Sequence, residues 1–150
     1  DYVTGGKTGY TEKAKRTLVS TASKDNINLV VVTIRDSDDW NTHKSLFEGV
    51  FNNYKSYLVV NKKNFSVVGD TYYDYLYVEN DVRLTLKKEE TKALVSHIKL
   101  EKIKNYHDGD KVGTNYIYLG NTLMGQEDIY VKKIDKESNS LIKKIKDWFK

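Results

Sequence analysis

Short β-forming segments separated by polar breaks run from residue 58 to residue 132, and this pattern limits the possible folds more than any other feature. Segments rich in Val, Ile, Leu, Thr and Tyr recur about every 8–12 residues, a spacing typical of small antiparallel sandwiches and barrels. Residues 71–78 carry apolar side chains on both faces, which predicts a central strand. We therefore predict a β-sandwich-like domain over 58–136, with strands at 58–60, 65–68, 71–78, 82–86, 93–100, 112–119 and 128–132.

Three further strands are predicted nearer the start of the chain. The apolar run Leu29-Val30-Val31-Val32 predicts a strand over 27–34 that is buried on both faces. A short hairpin at Lys24-Asp25-Asn26 would join it to a strand over 16–23, and a short Gly-rich segment over 5–11 would precede both.

A helix is predicted to follow these strands. Asn41 or Thr42 can cap a helix that runs to Tyr57. Its apolar residues recur at helical spacing and form one stripe: Leu46, Phe47, Val50, Phe51, Tyr54 and Leu58. Residues 1–57 are thus interpreted as three strands and one helix, which with the β-rich part makes the chain an α+β protein.

The last segment, residues 137–150, predicts a basic amphipathic helix. Its apolar face holds Leu141, Ile142, Ile145, Trp148 and Phe149, and lysines occupy the remainder. Two interpretations stay open for such a helix. It is either an anchor on a membrane surface or a terminal helix that packs against its own domain.

The formal charge of +4 lies at one end of the chain. Residues 132–150 hold seven Lys against three acidic residues, so residues 1–131 are neutral overall. This distribution argues against a basic nucleic-acid-binding face on the body of the protein. The twelve Tyr show no interleaving with basic residues on one strand face, which argues against a stacking platform for single strands. We therefore expect no nucleic-acid partner.

Several site classes are excluded or disfavoured by composition. The chain has no Cys, which excludes disulfides, zinc–thiolate sites and thiol nucleophiles. Its three His, at positions 43, 97 and 107, are scattered without metal-ligand spacing. We expect neither a metal nor another cofactor.

The segment Gly6-Lys7-Thr8-Gly9-Tyr10-Thr11 carries the clearest chemical signature in the sequence. Lys-Thr-Gly is a motif of penicillin-interacting serine enzymes. In a strand beside an acylating serine, the Lys ammonium keeps the site electropositive and the Thr hydroxyl can bind a carboxylate. The Gly removes a side chain where a substrate backbone approaches. A tripeptide alone also fits a simple Gly-Lys-Thr-Gly turn, so its surroundings have to decide.

Those surroundings resemble the D-alanyl-D-alanine carboxypeptidases, the low-molecular-mass penicillin-binding proteins. The likeness covers residues 4–57, where the Lys-Thr-Gly strand, a Leu-Val strand, the apolar strand and an aromatic helix follow in the family's order. Residues 58–150 match more loosely the β-rich domain and the membrane-surface helix that follow in this family. The resemblance thus implies a remnant of the penicillin-binding sheet over 1–57, a β-rich domain over 58–136, and an anchor over 137–150.

The resemblance also implies roles for four residues. Lys7 and Thr8 would bind the C-terminal carboxylate of a peptidoglycan stem peptide that ends in D-Ala-D-Ala. Gly9 would let that peptide lie along the strand, and the backbone N–H of Tyr10 would be one oxyanion-hole donor. The longer protein would also bind β-lactams, and it would sit outside the cytoplasmic membrane, attached to its outer face.

The catalytic motifs that this family places upstream of Lys-Thr-Gly are missing here. Only six residues precede Lys7, which leaves no room for the nucleophile motif Ser-x-x-Lys or for Ser-x-Asn. The match Ser96-His97-Ile98-Lys99 falls in a β-rich segment, whereas the motif needs a helix to bring Ser and Lys to one face. Ser138-Asn139-Ser140 is interpreted as a helix cap. We therefore assign no catalytic residue and expect a C-terminal fragment of a carboxypeptidase that is inactive alone.

A different class of function stays open beside this one. Residues 58–150 could form a non-catalytic β-rich module that binds a cell-wall or protein partner and positions it at the membrane. The first interpretation requires Ser-x-x-Lys in a longer chain, and the second does not.

Overall fold

A computed structural model describes residues 1–69 and 72–133 of the chain. They belong to two compact units. The first comprises Asp1–Leu58 and Arg83–Leu94, and the second comprises the described residues of 59–82 and 95–133. The predicted helix over 137–150 lies outside the described residues. Within those residues, no helix is long and apolar enough to cross a membrane.

The described residues form one α-helix, one short 3-10 helix and nine strands. The α-helix α1 spans Asp39–Asn53, and the 3-10 helix spans Glu90–Ala93. The strands are β1 (Val3–Thr11), β2 (Lys15–Lys24), β3 (Ile27–Ile34), β4 (Lys55–Val60), β5 (Tyr75–Val78), β6 (Val82–Leu86), β7 (Leu94–Leu100), β8 (Lys111–Leu119) and β9 (Thr122–Lys132).

The first unit contains a three-stranded antiparallel sheet in the order β1-β2-β3. A two-residue turn joins β2 to β3, and both of its residues, Asp25 and Asn26, have positive φ. Asp and Asn tolerate this left-handed conformation, which suits the twist of a tight hairpin. The predicted hairpin is therefore confirmed, and so is the order of three strands followed by one helix.

Helix α1 covers one face of this sheet. The cluster beneath it consists of buried Ala22, Ile27, Phe47 and Phe51, against which Tyr2 packs edge-on. The predicted strand over 27–34 does form, but the prediction that it is buried on both faces is wrong. Its residues alternate, and Val30, Val32 and Ile34 are each about two-thirds exposed, because α1 lies on the other face.

The ends of α1 differ from the prediction. The helix begins at Asp39 with Asp38 as its N-cap, so Asn41 and Thr42 are helical residues rather than caps. It ends at Asn53 instead of Tyr57, because the chain from Lys55 onward forms β4. The apolar stripe is also narrower than predicted, since Leu46 is half-exposed.

The second unit contains a four-stranded sheet in the order β5-β9-β8-β7. One of its faces is buried and carries Leu76, Val78, Val112, Ile129 and Val131. A tight turn at Gly120, where φ is positive, joins β8 to β9. The prediction that this part of the chain is β-rich and antiparallel is thus confirmed.

Three predictions about individual strands in this unit are wrong. The strand predicted over 71–78 was expected to be central, whereas β5 begins only at Tyr75 and lies at one end of the sheet. The second face of this strand, which was also expected to be buried, carries a row of tyrosines. Their hydroxyls allow this face to lie toward solvent. No strand forms over 65–68, and β9 is longer than the predicted 128–132.

Candidate functional site

Strand β1 is an edge strand that carries the Lys-Thr-Gly motif. All nine of its residues are exposed, and one of its edges pairs with β2. Among the described residues no strand pairs with its other edge. That edge can therefore add an extended peptide as a further strand of the sheet.

The four predicted site residues are consecutive on β1, so they alternate between its two faces. Lys7 lies opposite Val19 and Gly9 opposite Thr17, on the face that α1 does not cover. Thr8 lies opposite Leu18 and is on the side of the helix. The Lys7 ammonium donates a hydrogen bond to the Thr8 carbonyl oxygen at 2.9 Å, so it folds back along the strand.

Close packing between β1 and β2 explains two of the glycines. A Cβ added at Gly9 would lie 2.6 Å from Thr17 Oγ1, and one added at Gly6 would lie 2.9 Å from the Val19 carbonyl oxygen. Real Cβ atoms are essentially never found closer than 3.0 Å to another heavy atom. The Val19 backbone thus excludes a side chain at Gly6, whereas at Gly9 the Thr17 side chain would have to move to admit one.

A depression of about 640 Å³ adjoins β1. Its lining includes Gly6, Thr8, Ser20 and the half-exposed Trp40 at the start of α1. The depression leaves open space beside the motif, which a bound peptide would need, and the Trp40 side chain forms an aromatic wall on one side of it.

A buried histidine connects the sheet to α1 beneath this depression. Ser20 Oγ and His43 Nδ1 share a hydrogen bond of 2.6 Å, and Thr33 Oγ1 and His43 Nε2 share one of 3.0 Å. His43 is 3% exposed and contacts Phe47 edge-on. Because a hydroxyl occupies each ring nitrogen, we interpret the trio as a structural link between β2, β3 and α1.

Sequence reasoning placed His43 at the start of a helix and missed this role. The signal that could have revealed it is the spacing of His43, Phe47 and Phe51, which are three residues four positions apart on the buried face of α1.

An ion pair fixes the start of α1 to the beginning of β2. Arg16 donates from Nε to Asp39 Oδ2 at 3.1 Å and from Nη2 to Oδ1 at 2.8 Å. Asp39 is almost fully buried, whereas the Arg16 side chain is about half-exposed. The Arg16 hydrogen bonds hold the pKa of the Asp39 carboxyl below its usual value, and they raise the pKa of Arg16. The Arg16 guanidinium therefore serves to hold the start of α1 against β2.

The Ser-x-x-Lys match at Ser96 does not form a catalytic pair. Both Ser96 and Lys99 belong to β7, and their odd spacing places them on opposite faces of the strand. The Ser96 hydroxyl instead donates a hydrogen bond to Asn115 Oδ1. A second match in the sequence, Ser140 with Lys143, lies outside the described residues.

Two other expectations concern surfaces and ions. In the part of the chain that the structure describes, no group of three or more His, Asp or Glu residues is arranged to hold a metal ion.

The expectation that tyrosines do not alternate with basic residues on a strand face is wrong. On β9, Tyr130 and Lys132 share one face, and Lys132 lies opposite Tyr75 of β5.

Two protein-family models match the chain. The model of D-alanyl-D-alanine carboxypeptidase matches residues 1–38, and that of the penicillin-binding protein 5 C-terminal domain matches residues 56–137. Because the second model covers more than half of the chain, the protein belongs to the D-alanyl-D-alanine carboxypeptidases of the penicillin-binding protein 5 type. No curated protein sequence matches it significantly.

Solved structures share the fold at low sequence identity. One is the D-alanyl-D-alanine carboxypeptidase DacD from Francisella tularensis, at 19% identity and a TM-score of 0.62, over 89% of this chain and 36% of that chain. Another is penicillin binding protein 5 from Haemophilus influenzae, at 19% identity and a TM-score of 0.59, over 85% of this chain and 40% of that one. The chain thus spans well under half the length of these proteins.

Proposed function

We propose that this chain is part of a serine-type D-Ala-D-Ala carboxypeptidase, which removes the terminal D-alanine of peptidoglycan stem peptides. The observation that carries the proposal is the placement of Lys7-Thr8-Gly9 on a free edge strand, within a segment that matches the carboxypeptidase family model. An edge strand supplies the backbone donors and acceptors to which an extended peptide can pair.

In this proposal each site residue has a separate task. The Thr8 hydroxyl binds the C-terminal carboxylate of the substrate from the helix side of β1. The Lys7 side chain starts from the other face, so its ammonium has to leave the Thr8 carbonyl oxygen and reach across the free edge to bind the same carboxylate. The flat edge at Gly9 accepts the substrate backbone. The backbone N–H of Tyr10 donates to the oxyanion that forms when a serine attacks the scissile carbonyl. Breaking the peptide bond releases D-alanine and leaves an acyl-enzyme, and a water molecule hydrolyses the ester and restores the serine.

The serine that acts in this way is proposed to lie in a longer form of the protein. The solved relatives are more than twice as long as the part matched by this chain. Neither Ser96 with Lys99 nor the Lys-Thr-Gly strand supplies a nucleophile and base on one face. We therefore expect these 150 residues to be inactive by themselves.

Labelling with a fluorescent penicillin tests the proposal. We expect a covalent label on the longer protein and none on the 150-residue chain. In the longer protein, Lys7→Ala and Thr8→Val should each reduce the labelling rate by about tenfold or more. Lys7→Ala removes a charge-assisted hydrogen bond to the carboxylate of the penicillin, and Thr8→Val removes a hydroxyl contact to the same group.

The matched controls are Lys13→Ala and Thr85→Val, which change the same residue types away from the motif and from the depression beside it. They should label at the unchanged rate. Labelling of the 150-residue chain itself would show that its nucleophile is present, and unlabelled longer protein would overturn the proposed activity.

We propose further that residues 137–150 attach the protein to the outer face of the cytoplasmic membrane. Their lysines suit anionic lipid headgroups, and Trp148 and Phe149 suit the interface between headgroups and acyl chains. Co-sedimentation with vesicles that contain anionic lipid should fall in the Trp148→Ala, Phe149→Ala double variant. Trp40→Ala, which changes the other tryptophan, should leave it unchanged; equal binding by all variants would contradict the anchor.

The alternative is a non-catalytic module that binds a cell-wall or protein partner at the membrane. It is favoured by the longer of the two family matches, which covers residues 56–137 and excludes the Lys-Thr-Gly strand. The penicillin experiment separates the two functions, because the module requires no covalent label on the longer protein.

A further inference from the structure

The solvent-facing side of the four-stranded sheet carries three neighbouring tyrosines, Tyr75, Tyr77 and Tyr130, which we call the tyrosine face. Tyr75 and Tyr77 alternate along β5, and Tyr130 of β9 lies opposite Tyr77. The rings of Tyr77 and Tyr130 have centroids 5.8 Å apart and planes inclined by 31°. Tyr75 is 49% exposed, whereas the residues of the opposite face are buried.

The charges around these rings are almost balanced. Lys111, which lies opposite Tyr130 on β8, places Nζ 2.8 Å from Asp128 Oδ1. This contact lowers the pKa of Asp128 and raises that of Lys111, so both groups are charged at neutral pH. The ammonium of Lys111 is therefore already matched by a carboxylate of its own sheet.

A groove of about 430 Å³ borders the tyrosine face. Lys62, Tyr75, Tyr77, Asp108 and Lys132 contribute to its lining. Lysines provide hydrogen-bond donors and the aspartate provides acceptors, so the groove can satisfy both kinds of polar group on a ligand.

From this combination we propose that the tyrosine face binds a glycan chain of uncharged or weakly charged sugars. A pyranose ring has apolar C–H faces and a rim of hydroxyl or acetamido groups. The exposed ring of Tyr75 and the half-buried rings of Tyr77 and Tyr130 offer flat apolar surfaces for those faces, and the surrounding Lys and Asp side chains can hydrogen-bond to the rim.

The charge balance decides between a glycan and a nucleic acid. A strand of phosphates is held mainly by basic side chains that are free to neutralise it. Beside the tyrosine face, three lysines (Lys62, Lys111 and Lys132) are accompanied by three carboxylates (Glu79, Asp108 and Asp128), so no positive excess remains. A polyhydroxylated and nearly neutral ligand fits this surface better.

The inference does not depend on the proposed carboxypeptidase activity. The tyrosine face contains neither the Lys-Thr-Gly motif nor any residue of β1. Its test therefore uses a sugar probe without any peptide, and it gives the same answer whether or not the longer protein reacts with penicillin.

The experiment is a calorimetric titration of the 150-residue chain with a β-1,4-linked N-acetylglucosamine oligomer. We expect saturable binding that Tyr75→Ala and Tyr77→Ala each weaken by about tenfold, since each removes an aromatic stacking surface. Tyr75→Phe keeps the ring and should retain most of the affinity. Tyr57→Ala, which removes a tyrosine of β4 outside both the tyrosine face and the site on β1, should bind like the unchanged protein.

Three results would overturn the proposal. The first is no binding of the oligomer, and the second is binding that Tyr75→Ala and Tyr77→Ala leave unchanged. The third is binding of a single-stranded oligonucleotide through Tyr75 without binding of the sugar, which would assign the face to nucleic acid. Because Tyr75 is half-exposed, its variants should keep the melting temperature of the parent, and circular dichroism verifies this.

Discussion

Gly9 lies directly opposite Thr17, and the space that a Cβ would need at Gly9 is taken by the Thr17 hydroxyl oxygen, only 2.6 Å from where that Cβ would be. The resemblance gave Gly9 a role in admitting substrate. The contact with Thr17 adds a role within the sheet itself, because a side chain at this position would force either the Thr17 side chain or the β1 backbone to move. The two roles can be separated by experiment.

We predict that Gly9→Ala destabilises the chain by about 1–3 kcal/mol, the usual range for overpacking. Thr17→Ala should remove the clash, so the double variant should recover much of that loss, and the coupling appears in a double-mutant cycle. Denaturant unfolding followed by circular dichroism gives the free energies.

The matched control for this prediction is Gly5→Ala on the same strand, where an added Cβ would make an ordinary contact of 3.6 Å with Thr21 Oγ1. It should cost clearly less than Gly9→Ala. If the two single variants are equally stable, or if Thr17→Ala restores nothing, the proposed clash is absent.

The link between Ser20 and His43 yields a second prediction. His43→Leu keeps an apolar side chain against Phe47 but removes both hydrogen bonds of the ring. Leaving the buried Ser20 hydroxyl without this partner should cost about 1–3 kcal/mol. In the double variant with Ser20→Ala, part of the stability lost in His43→Leu should be recovered, because no hydroxyl is left unpaired. If the leucine side chain acted only by its shape, the stability losses of the two single variants would simply add.

Local signals in the sequence predicted part of this fold correctly. Asp25 and Asn26 between two apolar runs indicated the β2–β3 hairpin, since these residue types adopt positive φ at little cost. The spacing of Phe47 and Phe51 indicated a helix, and the Lys-Thr-Gly motif identified an exposed strand. Each of these signals depends only on residues that are close together in the chain.

The features that the sequence did not reveal depend on residues far apart in the chain. The run Leu29-Val30-Val31-Val32 has the same composition whether one or both faces are covered, and only the position of α1 leaves Val30 and Val32 exposed. The pairing of Tyr75 with Lys132 follows from the register of β5 with β9, which no local pattern encodes. The spacing of His43, Phe47 and Phe51 could have placed His43 on the buried face of α1, but its hydrogen bonds to Ser20 and Thr33 depend on how α1 packs on β2 and β3.

The third prediction concerns acid stability. The pKa of Asp39 is lowered in the folded protein by its hydrogen bonds from Arg16, relative to an ordinary value of 3.8. Its contribution to stability is therefore complete above the unfolded pKa, and it is lost as the pH falls through the lower folded pKa. The melting temperature should decline from about pH 4 downward.

Asp39→Asn isolates this contribution. The variant should melt several degrees lower at pH 7, and its melting temperature should depend less steeply on pH below 4, since the titrating group is gone. Asp36→Asn, at a position before α1, is the control. Parallel pH profiles for Asp39→Asn and the parent would show that Asp39 does not carry the effect.

The fourth prediction is a gain in stability at Gly49. This residue lies inside α1, and an added Cβ would have no atom within 4 Å. Alanine costs less backbone entropy than glycine in a helix, so Gly49→Ala should stabilise the chain by about 1 kcal/mol. A rise in the denaturant midpoint without a change in its slope is the expected measurement. A loss of stability would mean that α1 requires glycine at this position.

The fifth prediction is that glycine-to-alanine substitution at Gly113, where neighbouring atoms fill the space that a Cβ would need, destabilises the chain. Gly113 follows an irregularity in the β8–β9 pairing, and an added Cβ would lie closer to the backbone carbonyl of Lys99 than any real Cβ contact. Because the obstacle is backbone rather than a mobile side chain, Gly113→Ala should destabilise by at least about 3 kcal/mol, at the upper end of overpacking costs. Gly49→Ala serves as the opposite control in the same denaturation series. If Gly113→Ala unfolds at the midpoint of the parent, β7 and β8 do not approach each other as closely as their backbones do here.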